Sequence, residues 1–150
     1  MPEGAIFISY AREDLTAVLT LKNSLEAAGL SVWFDFDRIA AGDSFDNKIH
    51  DNIQRCSLFL PVLSHNTEVR TEGFFRREWR YAVDREMDIA LDVPFIIPVA
   101  IGDTTRFDTL PPRFRELHIT VLPQGQVTQE FVNRLKQIRQ RGAGQSPSAA

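Results

Sequence analysis

The chain has 150 residues, 43% of them hydrophobic and 25% charged, with a net charge of -3. That is room for one domain with a full core but not for two, and a mildly acidic surface makes a poor partner for nucleic acid or an anionic membrane. The single cysteine, Cys56, excludes an internal disulfide and a cysteine-based metal site, and it fits a reducing cytoplasm.

Residues 1–10 (MPEGAIFISY) carry neither the basic start nor the apolar run of a signal peptide. They contain the first predicted strand, residues 5–9 (AIFIS). Leu15, Val18, Leu19, Leu21 and Leu25 then line one face of a helix, and Gly29 stops it. A second strand is predicted at residues 31–35 (SVWFD). Phe45, Ile49 and Ile53 recur at four-residue spacing behind Asp43 or Ser44, either of which can cap a helix. Cys56 lies between that helix and a third strand, residues 57–63 (SLFLPVL), a position that predicts buried packing over chemistry.

Residues 64–73 (SHNTEVRTEG) read as a loop, after which Phe75, Trp79, Ala82 and Val83 mark a third helix. Residues 95–101 (FIIPVAI) read as a fourth strand. Residues 103–117, with two prolines and little periodicity, predict a loop with a short helix. A fifth strand follows at residues 118–122 (HITVL), and Thr128 caps a last helix that turns Phe131, Leu135 and Ile138 inward. No apolar stretch approaches the ~20 residues that a membrane helix needs. The last ten residues (RGAGQSPSAA) are too small and polar to order themselves. The reading is therefore one domain, residues 5–140, with a flexible tail at 141–150 or a linker to a further domain.

Five apolar strands alternating with helices predict an α/β fold: a flavodoxin-like three-layer sandwich with a five-stranded parallel sheet, order 2-1-3-4-5, and helices on both faces. Ligands of such sheets bind beyond the carboxyl ends of the strands, where the order reverses between strands 1 and 3. That singles out residues 9–14 (SYARED) and 64–73, flanked by 36–43 (FDRIAAGD). On the third helix Phe74, Glu78, Tyr81 and Arg85 share a face, so Phe74 and Glu78 stand one turn apart at the crevice edge. A lone Glu on an amphipathic helix ordinarily faces solvent, and its arginine neighbours read as a solvated face with i,i+4 ion pairs. Neither a glycine-rich phosphate loop nor a metal-ligand spacing is present: His50, His65 and His118 read as surface or capping residues. Ser9 and Ser64 show no sequence-adjacent His–acid set.

The segments "AIFISYARED", "GLSVWFDFDRIAAGDSFDNKI", "CSLFLPVLSHNT" and "FFRREW" resemble, in order and spacing, the motifs of Toll/interleukin-1 receptor (TIR) domains, especially bacterial ones, over about residues 5–138. The resemblance implies the same flavodoxin-like fold and an NAD+ nucleosidase that cleaves the nicotinamide–ribose bond. Glu78 then corresponds to the catalytic carboxylate, and Phe74 to an aromatic residue that is usually Trp in the family. Ser9, Tyr10, Ala11 and Arg12 correspond to the segment lining the nicotinamide–ribose pocket. Asp37, Arg38, Ile39, Ala40, Ala41, Gly42, Asp43 and Ser44 correspond to the BB loop, which packs on a neighbouring copy and completes its site. By the same resemblance NAD+ is the substrate, with no separate cofactor. The partners are other copies of the domain in a homo-oligomer or filament, together with a sensor domain in a longer chain. The products are nicotinamide with ADP-ribose or a cyclic isomer, and the setting is cytoplasmic bacterial antiviral defence by NAD+ depletion. A non-catalytic TIR–TIR adaptor and a synthase of a cyclic ADP-ribose signal are the alternatives.

Overall fold

Short runs of β-branched and aromatic residues build the sheet. The computed structural model describes residues 4–34, 45–102 and 107–144. Its strands are β1 (Ile6–Ser9), β2 (Val32–Trp33), β3 (Leu58–Leu63), β4 (Val99–Ala100) and β5 (Thr120–Val121). All pair in parallel, in the order β2-β1-β3-β4-β5, as the alternation of strand and helix predicts. β1 and β3 run side by side from Ile6 opposite Leu58 to Ser9 opposite Pro61, and every residue of both is buried.

β4 is shorter than the apolar run that contains it, with a regular ladder at Val99–Ala100 and one bridge at Ile96. Pro98 has no N–H to give a ladder, so the strand is interrupted there. The extended path still holds, because Phe59 N–H donates to Phe95 O at 2.9 Å and Ile97 N–H to Phe59 O at 2.8 Å.

The helices are α1 (Leu15–Ala27), α2 (Phe45–Arg55), α3 (His65–Val69), α4 (Phe74–Glu86), α5 (Pro112–Arg115) and α6 (Gln129–Gly144). α1 stops at Gly29, whose φ of 91° places it in the left-handed region. Leu30 N–H donates to Leu25 O and Gly29 N–H to Glu26 O, so carbonyls of the last turn are satisfied as the helix ends. α6 starts at its predicted cap, where Phe131 N–H donates to Thr128 Oγ1 at 3.1 Å. It continues through residues 141–144, which composition alone assigns to the tail; residues 145–150 lie outside the described residues. So do the candidate caps Asp43 and Ser44, the Phe45 side chain, and Asp35 at the end of the second predicted strand.

Alternation along the strands splits the core in two. Ile6, Ile8, Leu60 and Val62 turn toward α1 and α6, where they meet Val18, Leu21, Leu25 and Leu135. Phe7, Phe59 and Leu63 turn the other way, toward Ile49 and Ile53 of α2, Phe75 and Trp79 of α4, and Phe114 of α5. Each such fully buried side chain contributes roughly 1.5–3 kcal/mol against exposure. Cys56 is part of the second layer, as predicted. Burial pushes its thiol up to about 12, against the opposing pull of Arg85. Among the described residues no helix is long and apolar enough to cross a membrane.

Candidate active site

Strand parity decides what faces α4. Ser9 ends β1 on the same side as Phe7, so its hydroxyl emerges beneath α4. There Ser9 Oγ donates to Glu78 Oε1 at 2.7 Å. Ser9 is wholly buried and Glu78 is only 3% exposed. The expectation that a lone acid on this helix faces solvent is therefore corrected: the second turn of α4 points the carboxylate inward, at the carboxyl end of β1. A carboxylate held this way is stable only with hydrogen bonds, since an unpaired buried charge is costly.

The rest of that face turns toward α2. Tyr81 meets His50 edge-on at 4.8 Å. Arg85 Nη1 donates to Ile53 O at 2.7 Å and to Cys56 O at 2.6 Å, capping the carbonyl end of α2. Arg85 is not part of a solvated ion-pair face, and neither is Arg76. The Arg76 guanidinium donates to Arg70 O through Nε at 3.0 Å and through Nη2 at 2.7 Å. It also reaches Thr67 O at 2.9 Å and Thr109 O at 3.2 Å. Burial and the Arg80 charge lower its pKa. Of the four arginines on α4, these two hold backbone; Arg77 and Arg80 are the exposed ones.

Residues 9–12, to which the resemblance gives the pocket lining, fan out. Tyr10 leaves toward the opposite layer, edge-on to Phe34 with centroids 5.6 Å apart. Ala11 is buried against the α4 layer and Arg12 is exposed. Phe74, on the first turn of α4, is 49% exposed with the Arg77 guanidinium carbon 5.5 Å from its ring centroid. Ser9 and Glu78 are thus brought into direct contact, with Phe74 one turn from Glu78, while Tyr10 turns away. Asp37, Arg38, Ile39, Ala40, Ala41, Gly42, Asp43 and Ser44 lie outside the described residues.

Two features escape a reading of the sequence alone. The segment after β3 is not all loop: it opens with α3, closed by a reciprocal cap in which Thr67 N–H donates to Ser64 Oγ and Ser64 N–H to Thr67 Oγ1. Ser at 64 with a hydroxyl three positions on is the signal that could have revealed it. The second feature is a buried staple between the loops. Asp14 Oδ2 accepts from Ser64 Oγ at 2.5 Å and Asp14 Oδ1 from Asn66 Nδ2 at 2.7 Å, and Arg70 pairs with Glu13 at 3.1 Å. Together they tie the turn after β1 to the turn after β3. Among the described residues no group of three His, Cys, Asp or Glu side chains could hold a metal ion.

Comparison with known proteins agrees with this architecture. The chain is 27% identical over 144 residues to a probable 2' cyclic ADP-D-ribose synthase of Methanobrevibacter olleyae, covering 90% of this chain and 39% of that protein. It is 30% identical over 97 residues to the NAD(+) hydrolase TcpC of Escherichia coli, covering 62% and 29%. It is 35% identical over 79 residues to the NAD(+) hydrolase PdTIR of Paracoccus denitrificans, covering 52% and 24%. The chain therefore spans well under half the length of these relatives. In fold it is similar to the TIR domain of a Toll-related receptor of Hydra magnipapillata, with a TM-score of 0.64 at 19% identity over 89% of this chain and 97% of that one. A family model described as TIR domain matches residues 6–138. With that span, and with the strand order to match, the chain belongs to the TIR domain family.

Proposed function

We propose that this domain cleaves NAD+ at the nicotinamide–ribose bond, with Glu78 as the catalytic carboxylate. The observation that carries the reading is one contact: a buried Glu78 held by Ser9 Oγ at 2.7 Å at the carboxyl end of β1. The names of the relatives as NAD+ hydrolases and cyclic ADP-ribose synthases support it.

One carboxylate suits the chemistry. The glycosidic nitrogen of NAD+ is already cationic, so nicotinamide leaves neutral and takes the bonding pair with it without a general acid. The ribose left behind develops oxocarbenium character, a positive charge that exists only as the bond breaks. A fixed carboxylate beside it stabilises the transition state more than the ground state. Expelling a poor alkoxide normally takes two carboxylates; this leaving group removes the need for one of them. Addition of water, with loss of its proton, gives ADP-ribose. Attack by another nucleophile of the same molecule gives a cyclic isomer, the second reading, and the relative that covers 90% of this chain carries a synthase name.

Clustering is part of the proposal: the segment equivalent to the BB loop completes the site of a neighbouring copy, and depletion of NAD+ serves antiviral defence. The test is NAD+ loss and product identity by chromatography for the parent and Glu78→Gln, each dilute and concentrated with a crowding agent. Loss in the parent alone, rising steeply with concentration, is the expected result. Glu78→Gln that consumes NAD+ as fast as the parent would sink the assignment. No turnover in either leaves the non-catalytic adaptor or an enzyme that awaits its sensor domain.

A further inference from the structure

We infer that Asp14 is a positioning residue for the reaction: through α3 it fixes Ser9 against Glu78, an inference that rests on Glu78 being the cleaving carboxylate. Ser9 opens the turn after β1 and Glu78 stands on α4, and each of these two segments is tied separately to α3. On one side Asp14 Oδ2 accepts from Ser64 Oγ, the cap of α3, and Asp14 Oδ1 accepts from Asn66 Nδ2 at 2.7 Å. On the other side Arg76, two residues before Glu78, donates through Nη2 to Thr67 O at 2.9 Å and to Arg70 O at 2.7 Å. One short helix therefore holds both partners of the Ser9–Glu78 contact.

Asp14 is close enough in the chain to act on Ser9. Asp14 N–H donates to Ala11 O at 2.8 Å, which closes residues 12–14 into a tight turn directly behind the end of β1. Ser9, opposite Pro61, is the last residue of the ladder between β1 and β3. Past that point Asp14 continues the join by side chain, with the Glu13–Arg70 pair beside it at 3.1 Å. The two links are unequal. Asp14 and Ser64 are 8% and 4% exposed, where a hydrogen bond to a carboxylate is strong and directional. Glu13 and Arg70 are open to water, where an ion pair adds little. Accuracy matters at Glu78 because a carboxylate that stabilises a developing positive charge must already stand where that charge appears.

The test joins amide hydrogen exchange to steady-state kinetics on NAD+, on concentrated samples at a temperature where circular dichroism reports a folded domain. The variants are Asp14→Ala, Asp14→Asn, Asn66→Ala, Ser9→Ala, the double variant of Asp14→Ala with Ser9→Ala, and Glu78→Gln. Asp14→Ala should speed exchange both in residues 9–14 and in the first two turns of α4. It should lower kcat by about tenfold to a hundredfold, the scale of a small misplacement of a reacting group. Asp14→Asn keeps one acceptor and should recover part of the loss, and Asn66→Ala, which removes one bond of the two, should also fall between. In the Ser9→Ala background Asp14→Ala should change kcat by less than about twofold, because the group it positions is already gone. An equal loss in both backgrounds overturns the positioning role, as does a kcat of Asp14→Ala equal to the parent's or faster exchange confined to residues 9–14. NAD+ cleavage by Glu78→Gln at the parent's rate overturns instead the reading on which the inference rests.

Discussion

Ser9 and Glu78 are separated by 69 positions, and their contact is the smallest unit of the site. In the proposed mechanism Glu78 bears charge, and a buried carboxylate in that state needs a fixed donor such as Ser9 Oγ at 2.7 Å. Ser9→Ala removes it while leaving the strand intact. A hydrogen bond to a charged group is worth about 1.5–3 kcal/mol, so kcat for NAD+ cleavage should fall by about tenfold to a hundredfold. Stopped assays of nicotinamide release check this, and an unchanged kcat would reduce Ser9 to packing. At this scale the sequence identified Glu78 as a candidate through its place on α4 and the family resemblance. It did not reveal the partner, because parity along β1 and the docking of α4 together select it.

The next scale is α4 itself, which carries Phe74 and Glu78 and sets their angle to the sheet. Its inner face packs Trp79 between Phe75 at 5.1 Å and Phe114 at 5.3 Å. Its first turn is fixed by Arg76, which reaches carbonyls on α3, on the connection after it and before α5. Arg76→Ala leaves those carbonyls without their donor and should cost about 2–3 kcal/mol of stability. Chemical denaturation measures that cost. Arg76→Lys keeps the charge but not the planar fork, so it should fall between the two. A stability of Arg76→Ala equal to the parent would show that water replaces the clamp at no cost. The apolar periodicity of α4 was legible in the sequence, but the work of its arginines was not. Periodicity says which side of a helix is polar, and it does not distinguish a side chain in water from one that caps another segment.

Across the whole molecule, the chain after β5 closes back onto α1 through Gly125. Its φ is 80°, and an added Cβ would lie 2.1 Å from Ala17 O. Gly29 also has positive φ, 91°, but an added Cβ there meets nothing within 4 Å. Gly125→Ala therefore combines backbone strain with a collision against main chain, for a loss of at least about 2 kcal/mol. Gly29→Ala carries the strain alone, about 1 kcal/mol. Thermal melts of the two should rank them in that order, and the reverse order would mean that the closure onto α1 yields easily. The staple from Asp14 to Ser64 and Asn66 works over the same distance, holding the turns after β1 and β3 together at the crevice.

By itself the sequence determined the alternation of strand and helix, the parallel order β2-β1-β3-β4-β5, the two apolar layers and the family. These follow from local patterns: how often an apolar residue recurs, where glycine or proline interrupts, and which short segments stand in order. Tertiary structure alone decided that Glu78 is buried on Ser9, that Asp14 joins the turns after β1 and β3, and that Arg76 and Arg85 grip backbone carbonyls. Each is a pairing between side chains, or a side chain and a carbonyl, on different elements. Such pairings depend on strand register and helix docking, which burying both faces of the sheet settles only when the whole chain has folded.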